Sequence, residues 1–352
     1  MTNEESGSIA PYFHYRDGFR TATIVTLSAV IGLLVHADNP WWAAISAFTV
    51  ANADWRNFFS KAFQRAVGTV VGGISGFVVA YFIRGEPFLQ GSVLFVIASY
   101  ATYKNLTTSY GYAWLLGAAT AMIAMYFSLW DIVQLYEKMQ DRIIMVCTGV
   151  LVAGLVSYLL WHPSKWRAST AMSHKDSEDL PRKWIIRISI TAGLVALAGP
   201  IVYAGHDLGG MMQIVFTSVV CLAGDISSIR HIAASRFIGC AVGGVMGIAL
   251  VLLGLQTFIL WVLLFFLGMF FIAGWHHNGT HWAYAGTQAG FAFIITAMTS
   301  SGPVHSIAPI LDRFNGIFIG IFLTLLFLIL IGIAQGEKLF WWASNMDPLD
   351  EK

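Results

Sequence analysis

Twelve apolar runs, six in each half of a 352-residue chain, are the feature that most constrains its fold. They cover 21–37, 41–53, 66–83, 88–103, 112–129 and 143–161, then 188–204, 211–224, 237–255, 257–275, 282–299 and 314–334. Crossing about 30 Å of hydrocarbon takes roughly 20 apolar residues. In lipid the backbone must satisfy its own N–H and C=O groups, and a helix does this within one segment. Charged residues make up 11% of the chain and hydrophobic ones 57%, whereas a soluble domain carries about 25% charged residues. The expectation is an all-α polytopic membrane protein with twelve transmembrane helices.

Setting residue n beside residue n + 171 shows that the halves are a repeat. Arg16 falls on Arg187, Asp54 on Asp225, Arg65 on Arg236, Asp141 on Asp312 and Arg142 on Arg313. Gly68, Gly72, Gly73, Gly76 and Gly149 fall on Gly239, Gly243, Gly244, Gly247 and Gly320. Chance would give roughly 0.7 identical charged matches. Residues 1–161 are thus a first six-helix repeat, 162–184 a short polar linker and 185–352 a second repeat with a short tail. Six crossings per copy make the two copies parallel about an axis along the membrane normal.

Cationic loops stay on the cytoplasmic side. With twelve crossings and the N-terminus inside, only Arg84, Lys138, Arg142 and Arg313 of the 20 Lys and Arg lie outside. Both termini and the linker are therefore expected in the cytoplasm. The 20 Lys and Arg meet 19 Asp and Glu, a balance without the basic excess that phosphate binding exploits. Nucleic acid is not an expected partner. Cys147, Cys221 and Cys240 lie in apolar runs without metal-ligand spacing, so neither a disulfide nor a metal is expected. Glu4, Glu5 and Asp17 near the start are unlike a removable leader.

The second run of each half, 41–53 and 211–224, is too short: at 1.5 Å per residue each reaches only about 20 Å. Short segments at matching places in the two halves of a transporter point to its binding site. Either the helix is broken or tilted there, or it continues through Asp54 and Asp225 and carries a carboxylate into the membrane. In the second case these two are candidate proton carriers. In the first they cap the next helix.

A local pattern follows each short run, RAVGTVVGGISG from Arg65 and RFIGCAVGGVMG from Arg236. Gly68, Gly72 and Gly76, like Gly239, Gly243 and Gly247, are spaced by four and let another helix backbone approach closely. Arg65 and Arg236 begin this pattern at the cytoplasmic edge. They either anchor the helix or meet near the repeat axis and attract an anionic substrate.

The Arg with its spaced glycines, the short helix before it and the recurrence in both halves resemble the FUSC family, named for fusaric acid resistance. The resemblance covers about 300 residues. It implies export of aromatic carboxylic acids across a bacterial inner membrane, together with a periplasmic adaptor as partner. Family members commonly carry large cytoplasmic domains after each six-helix unit, where this chain has only 162–184 and a short tail. Plant malate channels, distantly similar, pair two six-helix units around an anion path.

Asp141-Arg142 and Asp312-Arg313 are expected to open the last helix of each half on the outer side, with the Asp as cap. Arg142 and Arg313 either anchor there or line the exit, since a guanidinium fork matches a carboxylate. Trp41 and Trp42 begin the short helix, as interfacial anchors or as a stacking surface for an aromatic solute. His276, His277 and His281 fall in a cytoplasmic turn where Gly279 disfavours a regular metal-binding helix. Gly73-Ile74-Ser75-Gly76 mimics a serine protease motif, but Met246 stands at the matching place of Ser75. No enzyme activity and no cofactor are expected. No Walker motif is present, which leaves protons as the energy source.

These readings add up to a proton-driven secondary exporter of organic anions, with an uncoupled anion channel or a non-transporting scaffold as the alternatives. The orientation is directly testable. Cysteines introduced at position 170 should be labelled only from the cytoplasm, and labelling from the periplasm would overturn the twelve-crossing topology.

Overall fold

Helices form along each apolar run, and internal residues such as Gly72 and Pro200 do not interrupt them. The computed structural model describes residues 15–51, 55–130, 133–160, 180–206, 211–222, 224–255, 257–299, 302–303 and 308–335. The first half holds α1 (Tyr15–Leu34), α2 (Trp41–Val50), α3 (Trp55–Phe82), α4 (Pro87–Thr107), α5 (Gly111–Trp130) and α6 (Leu135–Leu160). The second holds α7 (Arg182–His206), α8 (Met211–Cys221), α9 (Ile226–Leu252), α10 (Phe258–His276), α11 (Ala283–Ala297) and α12 (Ala308–Ala334). A two-residue antiparallel pair, β1 (Met298–Thr299) with β2 (Gly302–Pro303), follows α11. Gly85 and Gly254, at φ of 80° and 57°, turn the chain just after α3 and α9, a left-handed conformation that costs glycine nothing. Pro87 occupies the first position of α4, where a missing N–H is harmless.

Eight of the described helices are long and apolar enough to cross a membrane, namely α1, α3, α5, α6, α7, α9, α10 and α12. The protein is therefore a multi-pass membrane protein. Of the other four, α2 and α8 have only 10 and 11 residues and α11 has 15. The fourth, α4, is 21 residues long but carries Gln90, Ser92, Ser99, Thr102 and Lys104. The short second helix is thus real in both halves. At 1.5 Å per residue α2 is about 15 Å long. Between the two choices left open for the second half, the structure takes the break: α8 ends at Cys221 and Asp225 stands ahead of α9.

Packing follows one pattern twice. In the first half α3 lies on α5 and α2 on α6; in the second α9 lies on α11 and α8 on α12. Between halves the contacts are reciprocal, α1 with α10 and α4 with α7, then α2 with α11 and α5 with α8. Each exchange buries its own core. Phe48, Val25 and Ala29 share one cluster with Trp261, Phe265, Met269 and Phe293. Leu94, Met122 and Tyr126 share another with Ile188, Ala196 and Val215. The Tyr126 hydroxyl donates across the halves to Ala196 O at 3.4 Å, and Trp261 Nε1 donates to Ala297 O at 3.1 Å.

The glycine seams set the closest approaches. A Cβ on Gly68 would come within 2.6 Å of the Ala113 carbonyl oxygen, and one on Gly76 within 2.6 Å of Ala121 Cα. Gly72 meets Gly117 O, Gly239 meets Ala285 O and Gly243 meets Ala289 O more tightly still, while Gly247 faces Thr296. Gly149 and Gly320 let α6 and α12 settle on Ala43 O and Ile214 O of the short helices. In every carbonyl case the obstruction is backbone, which cannot rotate away. Gly72→Val or Gly243→Val should therefore lower stability by about 1–3 kcal/mol or more. Thermal unfolding of the purified protein reads this as a lower midpoint, and an unchanged midpoint would show that the seam has room.

Candidate functional site

Six arginines are buried among the described residues, Arg20 and Arg187 on the first helix of each half and four more on the helices that carry these seams. Arg65, Arg142, Arg236 and Arg313 have relative exposures of 5%, 4%, 4% and 5%. Buried charge in a bilayer is costly and marks ion or substrate pathways. Among the described residues none of the four has a carboxylate within ion-pairing distance. The two ion pairs described there are Arg20 with Asp17 at 3.8 Å and Lys138 with Asp38 at 3.1 Å.

The arginines group within each half. Arg65 and Arg142 are near enough for their charges to act on one another, and so are Arg236 and Arg313. No described contact joins Arg65 to Arg236, so the expected meeting of these two near the repeat axis is not what the contacts bring together. Arg65 lies one turn before Gly68 on α3 and donates from Nη1 to the Tyr112 hydroxyl at 2.9 Å. The Gly68–Ala113 contact puts Tyr112 there, and Gln64 Oε1 accepts from Ala113 N at 3.2 Å beside it. Arg142 on α6 donates from Nε to Thr120 Oγ1 at 3.2 Å. Its guanidinium carbon sits 3.9 Å from the Trp42 ring centroid, well within cation–π range.

In the second half Arg236 donates from Nη1 to the Tyr284 hydroxyl at 3.4 Å and from Nη2 to Thr217 Oγ1 at 3.2 Å. Arg313 donates from Nη1 to Gln213 Oε1 at 3.1 Å and from Nη2 to Gln288 Oε1 at 3.3 Å. Gln288 Nε2 closes the network by donating to Tyr284 at 2.9 Å. The short helices supply Trp42, Thr217 and Gln213, so the shortness of α2 and α8 brings polar and aromatic side chains to the arginines. Trp41 does not join them. It packs against the α1–α10–α11 core instead.

The remaining sequence candidates fall elsewhere. Asp225 is exposed and caps α9, accepting from Ser228 N at 3.0 Å; Asp54 lies outside the described residues. Asp141 and Asp312 do not open their helices as expected, because α6 starts at Leu135 and α12 at Ala308. Asp141 instead ties α6 to the α1–α2 loop, accepting from Asp38 N at 3.1 Å and Asn39 Nδ2 at 2.8 Å. His276 shares a hydrogen bond with Thr287 at 2.8 Å, His277 one with Thr21 at 2.8 Å, and the His281 ring lies tilted beside that of His231 with centroids 3.7 Å apart. Among the described residues no three His, Cys, Asp or Glu are grouped to hold a metal. The Ser75 hydroxyl donates to Val71 O at 2.7 Å.

Tyr112, Tyr284, Thr120, Thr217, Gln213 and Gln288 were missed by sequence reasoning. Gln213 and Gln288 did leave a signal, as lone amides inside apolar runs.

A multi-pass helical membrane protein with matching halves and buried cations is the class these features define. The chain belongs to the fusaric acid resistance protein-like family, whose model matches residues 27–166 and 194–327. Over 153 residues it is 26% identical to a Salmonella typhimurium protein called uncharacterized transporter YdhK. Over 150 residues it is 24% identical to the Escherichia coli K12 protein of the same name. Each match takes 42% of this chain and 22% of the relative, so the chain aligns with about a fifth of these curated relatives. No solved structure matches it.

The cap geometry of Asp225 has a measurable consequence. Asp225→Ala should cost about 0.5–2 kcal/mol, as loss of an N-cap does, while Asp225→Asn should keep nearly all of the stability because Asn caps as well. Equal thermal midpoints for the Ala variant and the parent would contradict a stabilising cap.

Proposed function

We propose that the chain is a secondary exporter of organic anions, aromatic carboxylates among them, driven by protons across a bacterial inner membrane. In this reading it crosses twelve times as two parallel repeats with both termini in the cytoplasm, and a periplasmic adaptor is its outer partner. The observation that carries the reading is the set of four buried arginines without a carboxylate partner among the described residues. A scaffold has no use for uncompensated guanidinium groups at that depth, whereas an anion supplies the missing charge and a fork suits a carboxylate. The Trp42 ring beside Arg142 adds an aromatic surface at the same place. The transporter names of the relatives point the same way.

Proton coupling through Asp54 and Asp225 has a mechanical rationale in the second half. A protonated Asp225 accepts from Ser228 N less well, which loosens the first turn of α9, the helix that carries Arg236. The carboxylate state would hold that turn and the neutral state would free it.

The test is flux of labelled benzoate in proteoliposomes with an imposed pH gradient. The parent should accumulate benzoate, and Arg65→Gln should reduce the rate about tenfold, the effect of losing one charged hydrogen bond, at unchanged expression. Asp54→Asn combined with Asp225→Asn should abolish accumulation while leaving exchange. Accumulation by the double variant would make both residues caps only; downhill flux without accumulation in the parent would mean a channel; no flux of any carboxylate would end the transport reading.

A further inference from the structure

The repeat places one member of each pair of residues against equivalent arginines, and the members differ. Position 42 is Trp and position 213, its partner 171 residues on, is Gln. Trp42 offers Arg142 a ring face, which attracts the cation without accepting its N–H bonds. Gln213 offers Arg313 an oxygen and takes one. Gln288 takes a second, whereas its partner position is Gly117, which has no side chain. Ser46 and Thr217 are partners too. Thr217 accepts from Arg236, while the Ser46 hydroxyl is turned away to Trp42 O at 2.6 Å.

The consequence is unequal satisfaction. In the second half both terminal nitrogens of both arginines have protein acceptors. In the first half Arg65 and Arg142 each make one hydrogen bond among the described residues. Arg142 Nη1, at the end of the fork, is buried with no acceptor, and so is Arg65 Nε. At Arg236 and Arg313 the buried nitrogen without an acceptor is Nε, as at Arg65, so the terminal nitrogen Nη1 of Arg142 is what sets the first repeat apart.

We infer that the two repeats are not equivalent: a single carboxylate is bound per chain, by Arg142 and Arg65 of the first repeat beside Trp42, while amides and hydroxyls of the second repeat stand in for the anion at Arg236 and Arg313. This rests on the anion reading above and deepens it. The chemical class is a monovalent carboxylate. Its two oxygens supply the acceptors that Arg142 lacks, and its single charge offsets part of the repulsion between the two cations. Since Nη1 has no exposed surface here, the anion gains it only as the packing of α2 on α6 loosens. Gly149 against Ala43 O forms that seam. The second repeat, already internally liganded, holds its halves of the bundle fixed while the first one opens.

Binding of labelled benzoate to the purified full chain in nanodiscs tests this by stoichiometry and affinity, with thermal midpoints taken in parallel. The expected result is one benzoate per chain. Arg142→Gln and Trp42→Gln should each weaken binding about tenfold or more with midpoints near the parent's. Arg313→Gln should lower the midpoint and weaken binding by less than about threefold. Gln213→Met and Gln288→Met should lower the midpoint and leave affinity within about twofold. If Arg142→Gln does not fold, Trp42→Gln and Thr120→Val carry the comparison. Two benzoates per chain, or equal losses of affinity for matched variants in the two repeats, would overturn the asymmetry and leave the anion reading standing. A parent that binds neither benzoate nor acetate would remove the anion reading and the asymmetry with it.

Discussion

Backbone against backbone at the glycine seams is the interaction on which the rest depends. Where Gly72 meets Gly117 O and Gly243 meets Ala289 O, two helices approach until nothing larger than hydrogen fits between them. The same seams bring Tyr112 to Arg65 and Tyr284 to Arg236, because the contacts of Gly68 with Ala113 O and of Gly239 with Ala285 O lie one turn from each arginine and beside each tyrosine. With a side chain in the seam the helices would stand apart and both guanidinium groups would lose a partner. Helix association in lipid has no hydrophobic drive of its own and relies on such packing. The cations are therefore tolerated inside the bundle because small residues let hydroxyl and amide acceptors come close.

Much of this was legible beforehand. The helical class, the short second helix and the seam glycines are written in local apolar length and in glycine spacing, which act over a few residues. The buried arginines could be named because they recur at a fixed offset. What could not be read was which of them come together, since Arg142 meets Thr120 and Trp42 across three helices. Helix starts were misplaced for a local reason: Asp141 resembles a cap, yet Leu135 to Gln140 are already helical and its carboxylate serves Asp38 and Asn39 of another loop. Between α8 and α9 the chain breaks, and Asp225 accepts from Ser228 N at the start of α9. The acceptors around Arg313 escaped notice because an isolated Gln in an apolar run has no periodic signature.

Matching architecture with mismatched side chains is a property of a covalent repeat. Each of the four arginine positions is kept in both halves, while positions 42 and 117 differ in kind from 213 and 288, and the hydroxyls at 46 and 217 bond to different groups. Two identical subunits could not make that distinction, because every substitution would appear on both sides. A single chain can keep the terminal nitrogens of one arginine pair bonded and leave the other pair poorly satisfied. Poor satisfaction of a buried donor is a cost that a bound acceptor relieves.

The reciprocal packing of the halves also orders the protein's birth. The partner of α1 is α10, and the Thr21–His277 hydrogen bond spans 256 residues. At roughly 5–20 residues per second of synthesis, α1 waits on the order of 10–50 s for the helix that covers it. During that interval the face bearing Gly18, which finally lies against Phe270 O and Gly274, is in contact with lipid or with whatever other helix the translocation machinery holds nearby. The face of α4 that meets α7 is covered sooner, so of these two contacts between the repeats the one at the junction can form well before the one between the first helix and the tenth.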